Sequence, residues 1–188
     1  GRLWVNEDEI ADNGIDDDGN GRPDDVNGWN FISGNNNIDD DDGHGTAVAS
    51  IIGAGTDNGI GYAGVNGKSK LMVLKVANSA GEVNFSNFFY GVHYAIENRA
   101  RVINCSYAGP TFSQAQELVV KYADSCGLVF CSGTGNNNSD SIYYAARHGP
   151  VISVGATNAL DQRWTVEENS SIGSNYGDSL DVVAPGEY

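Results

Sequence analysis

A histidine lies between two glycines in the stretch Asp42-Gly-His-Gly-Thr46, and a run of small and apolar residues follows it to Ser50. An imidazole titrates near neutral pH, so His44 could act as a general base or a general acid. The flanking glycines let backbone and substrate approach the ring closely. Alone, the tetrapeptide is weak evidence, because a lone histidine is usually structural or solvent-exposed. His44 is a catalytic candidate that needs support from other segments.

Carboxylates and an amide alternate in the acidic segment 16–25. Oxygen ligands at positions 1, 3, 5 and 9, with glycine at position 6, have the spacing of a calcium loop, in which position 7 adds a backbone carbonyl. Position 12 is Asn27 and not glutamate, so a complete EF-hand is not predicted. The alternative is an acidic run that is only solvated. The predicted calcium ligands are Asp16, Asp18, Asn20, Asp24, the carbonyl of Arg22 and, as a further carboxylate, Asp25.

The chain of 188 residues has a formal net charge of −15. Such a charge repels phosphates and argues against nucleic acid as a partner. No segment approaches the roughly 18 consecutive apolar residues of a membrane span, and no signal peptide opens the chain. Because the chain starts at Gly1, we expect it to be a piece of a longer protein. Three cysteines cannot all pair internally, and Cys105 and Cys131 lie in apolar runs where buried free thiols are common.

Five short apolar runs have the character of buried parallel strands. They are Leu71–Val76, Val102–Cys105, Leu128–Cys131, Val151–Val154 and Leu180–Ala184. Helical patterns lie between the earlier runs, and this alternation predicts an α/β fold with a doubly wound, mostly parallel sheet flanked by helices. Ligands bind such sheets beyond the carboxyl ends of the strands. The polar segment Thr165–Asn175 is predicted to be an exposed insertion.

Three helices are predicted. Ala47–Ile52 is a short apolar one, and Asn87–Asn98 has an apolar face with Ser86 as its cap. The third begins at Ser113, where a glutamine three residues later gives the capping-box spacing, and ends at Gly127.

Seven segments of the chain resemble, in the same order, motifs of the subtilisin-like serine proteases (the subtilase, or peptidase S8, family). They are Gly43-His-Gly-Thr46, Asn58-Gly-Ile-Gly-Tyr-Ala-Gly-Val65, Leu71–Val76 with Gly81, Val102-Ile-Asn-Cys-Ser-Tyr-Ala-Gly-Pro110, Gly133-Thr-Gly-Asn136, Val151-Ile-Ser-Val-Gly-Ala-Thr157 and Asn175-Tyr-Gly-Asp-Ser-Leu-Asp-Val-Val-Ala-Pro-Gly186. The resemblance implies a subtilisin-like fold that is incomplete at both ends. Residues 1–43 would be an acidic calcium-binding insertion, and residues 44–188 the central part of the catalytic domain.

The resemblance assigns the general-base role to His44 and the oxyanion-donor role to the side-chain amide of Asn136. Serine proteolysis needs both, together with a serine nucleophile and an aspartate that orients the histidine. The alternative for Asn136 is a turn residue in an Asn-rich loop. Asn137 and Asn138 leave the register open by a position or two, although Gly135 favours Asn136.

The other two members of the triad have no match in the chain. In subtilases the order is Asp, His, Ser, and the aspartate follows an apolar strand. Asp39–Asp42 have no such strand before them and are interpreted as a solvated or cation-binding loop. The Gly-Thr-Ser motif of the nucleophile is also missing. We expect the aspartate before residue 1 and the serine after residue 188, and the fragment alone to be inactive.

In the family, extended segments bind the peptide as an added strand. The matching residues here are Gly81, Glu82 and Val83, and Ser106, Tyr107, Ala108 and Gly109. Ser132, Gly133, Thr134 and Gly135 would wall the pocket for the residue before the cut. Phe85 and Tyr107 match a more distant apolar pocket, and ordinary aromatic core packing is the alternative for both. At Tyr107-Ala108 the family has Leu-Gly, so fine specificity is open.

The resemblance also implies a second calcium site, formed by the carbonyls of Thr56, Ile60 and Tyr62 and the side chain of Asn58. One further carboxylate of that site would come from the missing upstream segment. Calcium dependence favours an extracellular or secretory, lumenal location. The expected partners are peptide or protein substrates, and an inhibitory propeptide is left open.

Two other functions remain open at this stage. A peptide macrocyclase would use the same triad, and a catalytically dead relative would bind peptides in the cleft without cutting them.

Overall fold

The computed structural model describes residues 2–167 and 169–186. The chain divides into two compact units, Gly1–Tyr94 and Ala95–Tyr188. The division falls inside a helix and not at residue 43, where the composition changes. Each unit has its own parallel sheet, and the two are described in turn.

In the first unit, two short strands form a parallel pair. Strand β1, Gly28–Asn30, pairs with β2, Val73–Lys75, so that Gly28 lies opposite Val73. Helix α1, His44–Gly53, lies between them in the chain. Strand β2 lies in a predicted run, whereas β1 was not predicted, because three residues show no periodicity.

Helix α2, Phe85–Glu97, begins two residues before the predicted Asn87. Ser86 therefore lies in the first turn, and its predicted capping role is wrong. The Oδ1 atom of Asn84 accepts a hydrogen bond from the Asn87 N–H at 2.8 Å and caps the helix instead. Phe88 and Val92, on the predicted apolar face, are buried.

The second unit contains a four-stranded parallel sheet in the order β3-β4-β5-β8. These strands are Val102–Cys105, Val129–Gly133, Val151–Thr157 and Val182–Pro185, close to the predicted runs. Helix α3, Gln114–Ser125, packs against β4 and buries Val119, Val120 and Ala123. The Ser113 hydroxyl accepts the Gln116 N–H at 3.3 Å, and Gly127 has a φ of 82°, so both predicted helix boundaries are confirmed.

A small antiparallel pair, β6 (Thr165–Val166) and β7 (Asn169–Gly173), lies between β5 and β8 in the chain. The prediction that Thr165–Asn175 is an exposed insertion is wrong at its end. Gly173 is buried, and Ser174 and Asn175 are only 2% and 1% exposed. The α/β prediction, with mostly parallel strands flanked by helices, is confirmed. Among the described residues, no helix is both long and apolar enough to cross a bilayer.

The three cysteines are unpaired thiols in different environments. Cys105 is buried and Cys131 is partly buried, on β3 and β4, whereas Cys126 is exposed at the end of α3. Burial raises the pKa of Cys105 to about 11 and also raises that of Cys131.

Candidate active site

His44 is the first residue of α1 and is exposed to solvent. The residue before it, Gly43, has a φ of 93°, and no side chain at that position can cap the helix. The Asp40 carboxylate takes over this role. It accepts hydrogen bonds from the Thr46 N–H and the Thr46 hydroxyl, both at 2.7 Å, and from the Gly43 N–H at 2.9 Å. Asp40 is therefore a capping residue and not simply a solvated acid.

Hydrogen bonds stabilise the charged form of this carboxylate. The bond from the Thr46 hydroxyl, followed by those from the N–H groups of Gly43 and Thr46, holds the pKa of Asp40 well below its usual value of 3.8. Lys75, at the end of β2, fixes the same loop. Its ammonium group donates to the Asp41 carboxylate at 2.6 Å and to the Asp39 carbonyl at 2.5 Å. Within the first unit, the loop Asp39–Asp42 thus joins strand β2 to the helix that begins at His44.

Asn136 lies in the second unit, three residues after the end of β4. Along β4 and the turn after it, Phe130, Ser132 and Thr134 are buried, and Asn136 is exposed. Gly135, with a φ of 101°, turns the chain between them. The Asn136 carbonyl accepts the Gly173 N–H at 3.1 Å. The amide side chain therefore projects from a backbone that is held by the end of β7.

The predicted peptide-binding segment of the first unit is a tight turn before α2. Ala77 and Val83 form an antiparallel bridge, and the Asn78 side chain accepts the N–H of Glu82 at 3.0 Å. Gly81 closes the turn with a φ of 73°. Phe85 is 39% exposed at the start of α2. A cavity of about 380 Å³ adjoins the turn, lined by Ile32, Asn78, Glu82, Val83, Asn84 and Asn87.

In the second unit, Ser106–Gly109 follow β3 directly. Gly109 pairs with Tyr144 through two backbone hydrogen bonds of 2.8 and 2.9 Å, which use both its N–H and its C=O. Ser106, Tyr107 and Ala108 lie between the end of β3 and this paired glycine. Burial raises the pKa of the Tyr107 hydroxyl above its ordinary value of 10, so this ring is partly a core group.

Ser132 and Thr134, predicted to wall the pocket, are each 2% exposed, so their side chains are on the buried face. Gly133 and Gly135 alternate with them and are partly exposed. A pocket wall along this segment would consist mainly of glycine backbone.

Three carboxylates converge in the acidic region of the first unit. One oxygen from each of Glu9, Asp18 and Asp25 lies within 4.8 Å of the others. Asp25 is fully buried and Glu9 is 8% exposed. Two ligands on opposite sides of a calcium ion, each 2.3–2.6 Å from it, are about 5 Å apart, so this spacing fits one ion. Without a cation, such closeness is unfavourable for like charges.

The side chains of the predicted calcium loop, residues 16–25, have two kinds of role: some are candidate ligands, and others accept hydrogen bonds that hold the loop. Asp18 and Asp25 are the candidate ligands, because they belong to the three converging carboxylates. The carboxylate of Asp16 accepts the N–H groups of Asn20 and Gly21, and that of Asp24 accepts the N–H groups of Asn13 and Gly14. Arg22 donates from its guanidinium to the Asn20 carbonyl and lies over the rings of Phe31 and Tyr94.

The side chain of Asn20 contacts two of the three converging carboxylates. Its Nδ2 atom donates to Asp18 at 2.8 Å and to Asp25 at 2.9 Å. Within residues 2–167 and 169–186, the Oδ1 atom of Asn20 is buried and accepts no hydrogen bond. Rotating the amide by 180° would turn this oxygen toward the carboxylates, which is favourable only if a cation lies between them.

Glu9 was missed by the sequence analysis. Its carboxylate accepts the N–H groups of Asp17, Asp18 and Asp24, so it lies against the acidic loop although it precedes that loop in the chain. Its position outside the 1, 3, 5, 9 spacing left no signal. A buried glutamate among aspartates becomes visible only in three dimensions.

The second predicted calcium site, with Thr56, Asn58, Ile60 and Tyr62, is an exposed loop. Asn58 Oδ1 accepts the Ile60 N–H at 3.0 Å, and the Tyr62 hydroxyl lies 2.6 Å from that of Ser50 on α1. A concavity of about 140 Å³ lies within residues 55–63.

The fold agrees with comparisons to known proteins. The sequence matches the model described as the subtilase family over residues 5–188, and the chain therefore belongs to that family. The resemblance drawn from the motifs is confirmed.

Particular relatives show how much of a subtilase the chain represents. It is 38% identical over 185 residues to subtilisin from Bacillus pumilus, which is 94% of this chain and 63% of that protein. It is 38% identical over 159 residues to the cell wall-associated protease of Bacillus subtilis (strain 168), which is 85% of this chain and 17% of that protein. A crystal structure of a cold adapted subtilisin-like serine proteinase matches with a TM-score of 0.72 and 30% identity, covering 85% of this chain and 54% of that one. The subtilisin-like fold is thereby confirmed, in a chain that spans less than two thirds of each of these relatives.

Proposed function

We propose that this chain is the central part of a calcium-stabilised serine endopeptidase that uses an Asp-His-Ser triad. The observation that carries the proposal is His44, which stands exposed at the start of a helix in a chain of the subtilase family. The aspartate and the serine would be supplied by flanking segments of the catalytic domain. The 188 residues alone are expected not to cleave peptides.

In this mechanism, His44 takes the proton of the serine hydroxyl as it attacks the peptide carbonyl, and returns that proton to the leaving amine. The aspartate orients the imidazole. Asn136 donates from its side-chain amide to the oxyanion that forms on the carbonyl oxygen. Its exposed position and its hydrogen-bonded backbone support this role, because an oxyanion donor works best when it is held in place before the reaction.

We propose that substrates are extended peptides, bound as an added strand. In the second unit the matching segment is Ser106–Ala108, which lies between β3 and the paired Gly109. In the first unit the turn at Gly81–Val83 would contribute, with Phe85 exposed beside it. Backbone recognition of this kind favours broad specificity, because it does not depend on substrate side chains.

The test uses the full-length protein, with a fluorophosphonate probe and a chromogenic peptide. We expect the wild type to be labelled and to hydrolyse the peptide. In subtilisin itself, loss of the histidine costs about 10⁶ in kcat, and loss of the oxyanion asparagine about 10²–10³, so His44→Ala and Asn136→Leu should differ by several orders of magnitude.

A folded wild type that is neither labelled nor active would overturn the endopeptidase proposal and leave the peptide-binding alternative. Cyclised products in place of hydrolysed ones would point to the macrocyclase.

We also propose one calcium ion at the site formed by Glu9, Asp18, Asp25 and the carbonyl oxygen of the Asn20 side chain. The fit rests on the close carboxylates, two of them buried, and on the unpaired buried oxygen of Asn20. A bound ion would neutralise the carboxylates and hold the acidic region rigid. Occupancy of the loop of Thr56, Asn58, Ile60 and Tyr62 is a second part of the proposal, and it rests on the family resemblance and on the concavity within residues 55–63.

Calcium binding is measured by isothermal titration and by the melting temperature of the 188-residue chain. At free calcium 100 times Kd, binding at one site adds about 2.7 kcal/mol to the free energy of unfolding. Asp25→Asn should abolish this gain. Asp24→Asn is the matched control, because its carboxylate accepts backbone N–H groups outside the three-carboxylate group. A gain that survives Asp25→Asn would contradict the site.

An extracellular or secretory, lumenal location follows from these two proposals, since millimolar calcium is available there to saturate weak sites. Peptide or protein substrates are the proposed partners, and an inhibitory propeptide remains a further one.

A further inference from the structure

Both polar atoms of the Asn175 side chain are hydrogen-bonded to the segment that contains Asn136. It is 1% exposed. Its Oδ1 atom accepts the N–H groups of Asn137 at 2.9 Å and Ser139 at 3.1 Å, and its Nδ2 atom donates to the Thr134 carbonyl at 3.1 Å. These bonds reach the backbone both before and after Asn136.

Further hydrogen bonds join the two segments. The N–H of Asn175 donates to the Gly135 carbonyl at 2.8 Å, and the Thr134 hydroxyl donates to the Asn175 carbonyl at 3.0 Å. Gly173 adds two bonds, from its N–H to the Asn136 carbonyl and from the Asn138 N–H to its own carbonyl. Every residue from Thr134 to Asn138 is therefore hydrogen-bonded to residues 173–175.

The contact leaves no space for adjustment. A Cβ atom on Gly135 would lie 2.5 Å from Nδ2 of Asn175 and 3.0 Å from the Tyr143 ring. Position 135 must be glycine as long as Asn175 occupies this place. The amide itself carries no charge and is sealed from solvent, so it has no direct part in binding or proton transfer.

We propose that Asn175 is a positioning residue of the oxyanion site: it fixes the turn from Thr134 to Ser139 so that the exposed Asn136 amide points in one direction. The inference rests on the proposed oxyanion role of Asn136. A donor gives its full effect only when its direction is set before the reaction, and a displacement of about 1 Å can cost about 100-fold in rate. Three hydrogen bonds to a six-residue turn are the kind of support such a donor requires.

The test measures kcat, KM and the affinity of a peptide aldehyde in the full-length protein. The aldehyde forms a tetrahedral adduct whose oxygen occupies the oxyanion position, so its affinity reports on that site. Asn175→Ser removes all three side-chain bonds. We expect kcat to fall 10- to 100-fold and aldehyde affinity by a similar factor, with KM changed less than threefold. The matched control is Asn158→Ser, since Asn158 accepts the N–H groups of Leu160 and Gln162 in a separate turn. That variant should leave all three quantities unchanged.

A double-mutant cycle separates positioning from a purely structural role. In an Asn136→Leu background, Asn175→Ser should lower kcat less than twofold, because the donor it positions is gone. An equal loss in both backgrounds would overturn the inference. A wild type without activity would overturn the proposed function instead.

A milder variant covers the case in which Asn175→Ser does not fold. Asn175→Asp keeps the acceptor for Asn137 and Ser139 and places an oxygen against the Thr134 carbonyl. We expect it to fold, with faster amide exchange at residues 134–139 and a lower kcat. Unchanged exchange and unchanged kcat would overturn the inference.

Discussion

Gly43 is at the N-cap of α1, where a capping side chain is normally found, but Asp40, three residues earlier, caps the helix instead. Gly43 has no side chain, so the first turn of the helix depends on a carboxylate that the loop folds back over it. Asp40 receives bonds from Gly43 and Thr46, the residues that flank His44 at positions −1 and +2. The geometry of one solvent-exposed aspartate thus sets the position of the candidate base.

We predict that Asp40→Asn destabilises the first turn of α1 by about 1 kcal/mol, the usual cost of losing a cap. An amide presents only one acceptor, so it cannot serve both Thr46 and Gly43. Amide exchange at residues 43–46 should become faster, and denaturant unfolding should show the lower stability. Asp39→Asn removes the same charge one residue away, and its side chain does not accept from the helix. Equal effects of the two substitutions would mean that charge matters and the cap does not.

At the level of elements, β1 depends on one glycine. Gly28 has a φ of 134°, and a Cβ atom there would lie 1.9 Å from the Val73 carbonyl oxygen on β2. The two strands approach so closely that only a residue without a side chain can hold the register at this point.

We predict that Gly28→Ala lowers the free energy of unfolding by at least about 2 kcal/mol, since backbone strain and a backbone clash act together. Gly34→Ala is the matched control. Gly34 also has a positive φ, 63°, but open space around its Cβ position, so its cost should be near 1 kcal/mol. Urea titrations of the two variants measure the difference. A Gly28 variant as stable as the Gly34 variant would show that β1 can move away from β2.

The elements differ in how far the sequence predicts them. The strands of the second unit were predictable because buried parallel strands are continuous apolar runs. The cap of α3 was predictable from Ser113, but Asn84 and Ser86 are both good caps, and the choice between them depended on where the chain turned. Glu9 and Asn175 left no local signal, because their roles arise from contacts with residues 8 to 41 positions away. The catalytic candidates were found by their motifs, whereas the residues that hold them were found only in the fold.

At the level of the whole molecule, stability should fall in two steps on acidification. Burial lowers the pKa of His148 below its ordinary 6.5, and this outweighs the opposing effect of Glu117. The ring packs against Phe112 and Tyr144 and is hydrogen-bonded to Gln116. The positive charge of Lys121 lowers the pKa of His148 further. The neutral ring belongs to the folded state, so its contribution is complete above pH 6.5 and is lost as the pH falls below that value.

The second step comes from the carboxylates. Burial acts to raise the pKa of Asp18, but hydrogen bonds from Asn6 and Asn20 outweigh it, and the pKa lies below 3.8. Hydrogen bonds also lower the pKa of Asp40. Their contributions are present above pH 3.8 and are lost as the pH falls further.

We therefore predict that the melting temperature falls by a few degrees between pH 8 and pH 5, and again below pH 4. His148→Gln should remove the upper step and keep the lower one. Differential scanning calorimetry across this range measures both. A melting temperature of wild type that is constant from pH 8 to pH 5 would contradict the role of His148.

The three cysteines differ in solvent exposure, so thiol reagents should modify the second unit at one residue. Alkylating reagents and maleimides attack thiolates that they can reach. Cys105 is sealed in the sheet with a pKa of about 11, and Cys131 is partly covered, whereas Cys126 is open to solvent at the end of α3. At neutral pH, brief treatment should place a single dye or surface tether on each folded molecule. The protein can thus be attached or watched through one native side chain, without engineering a new one.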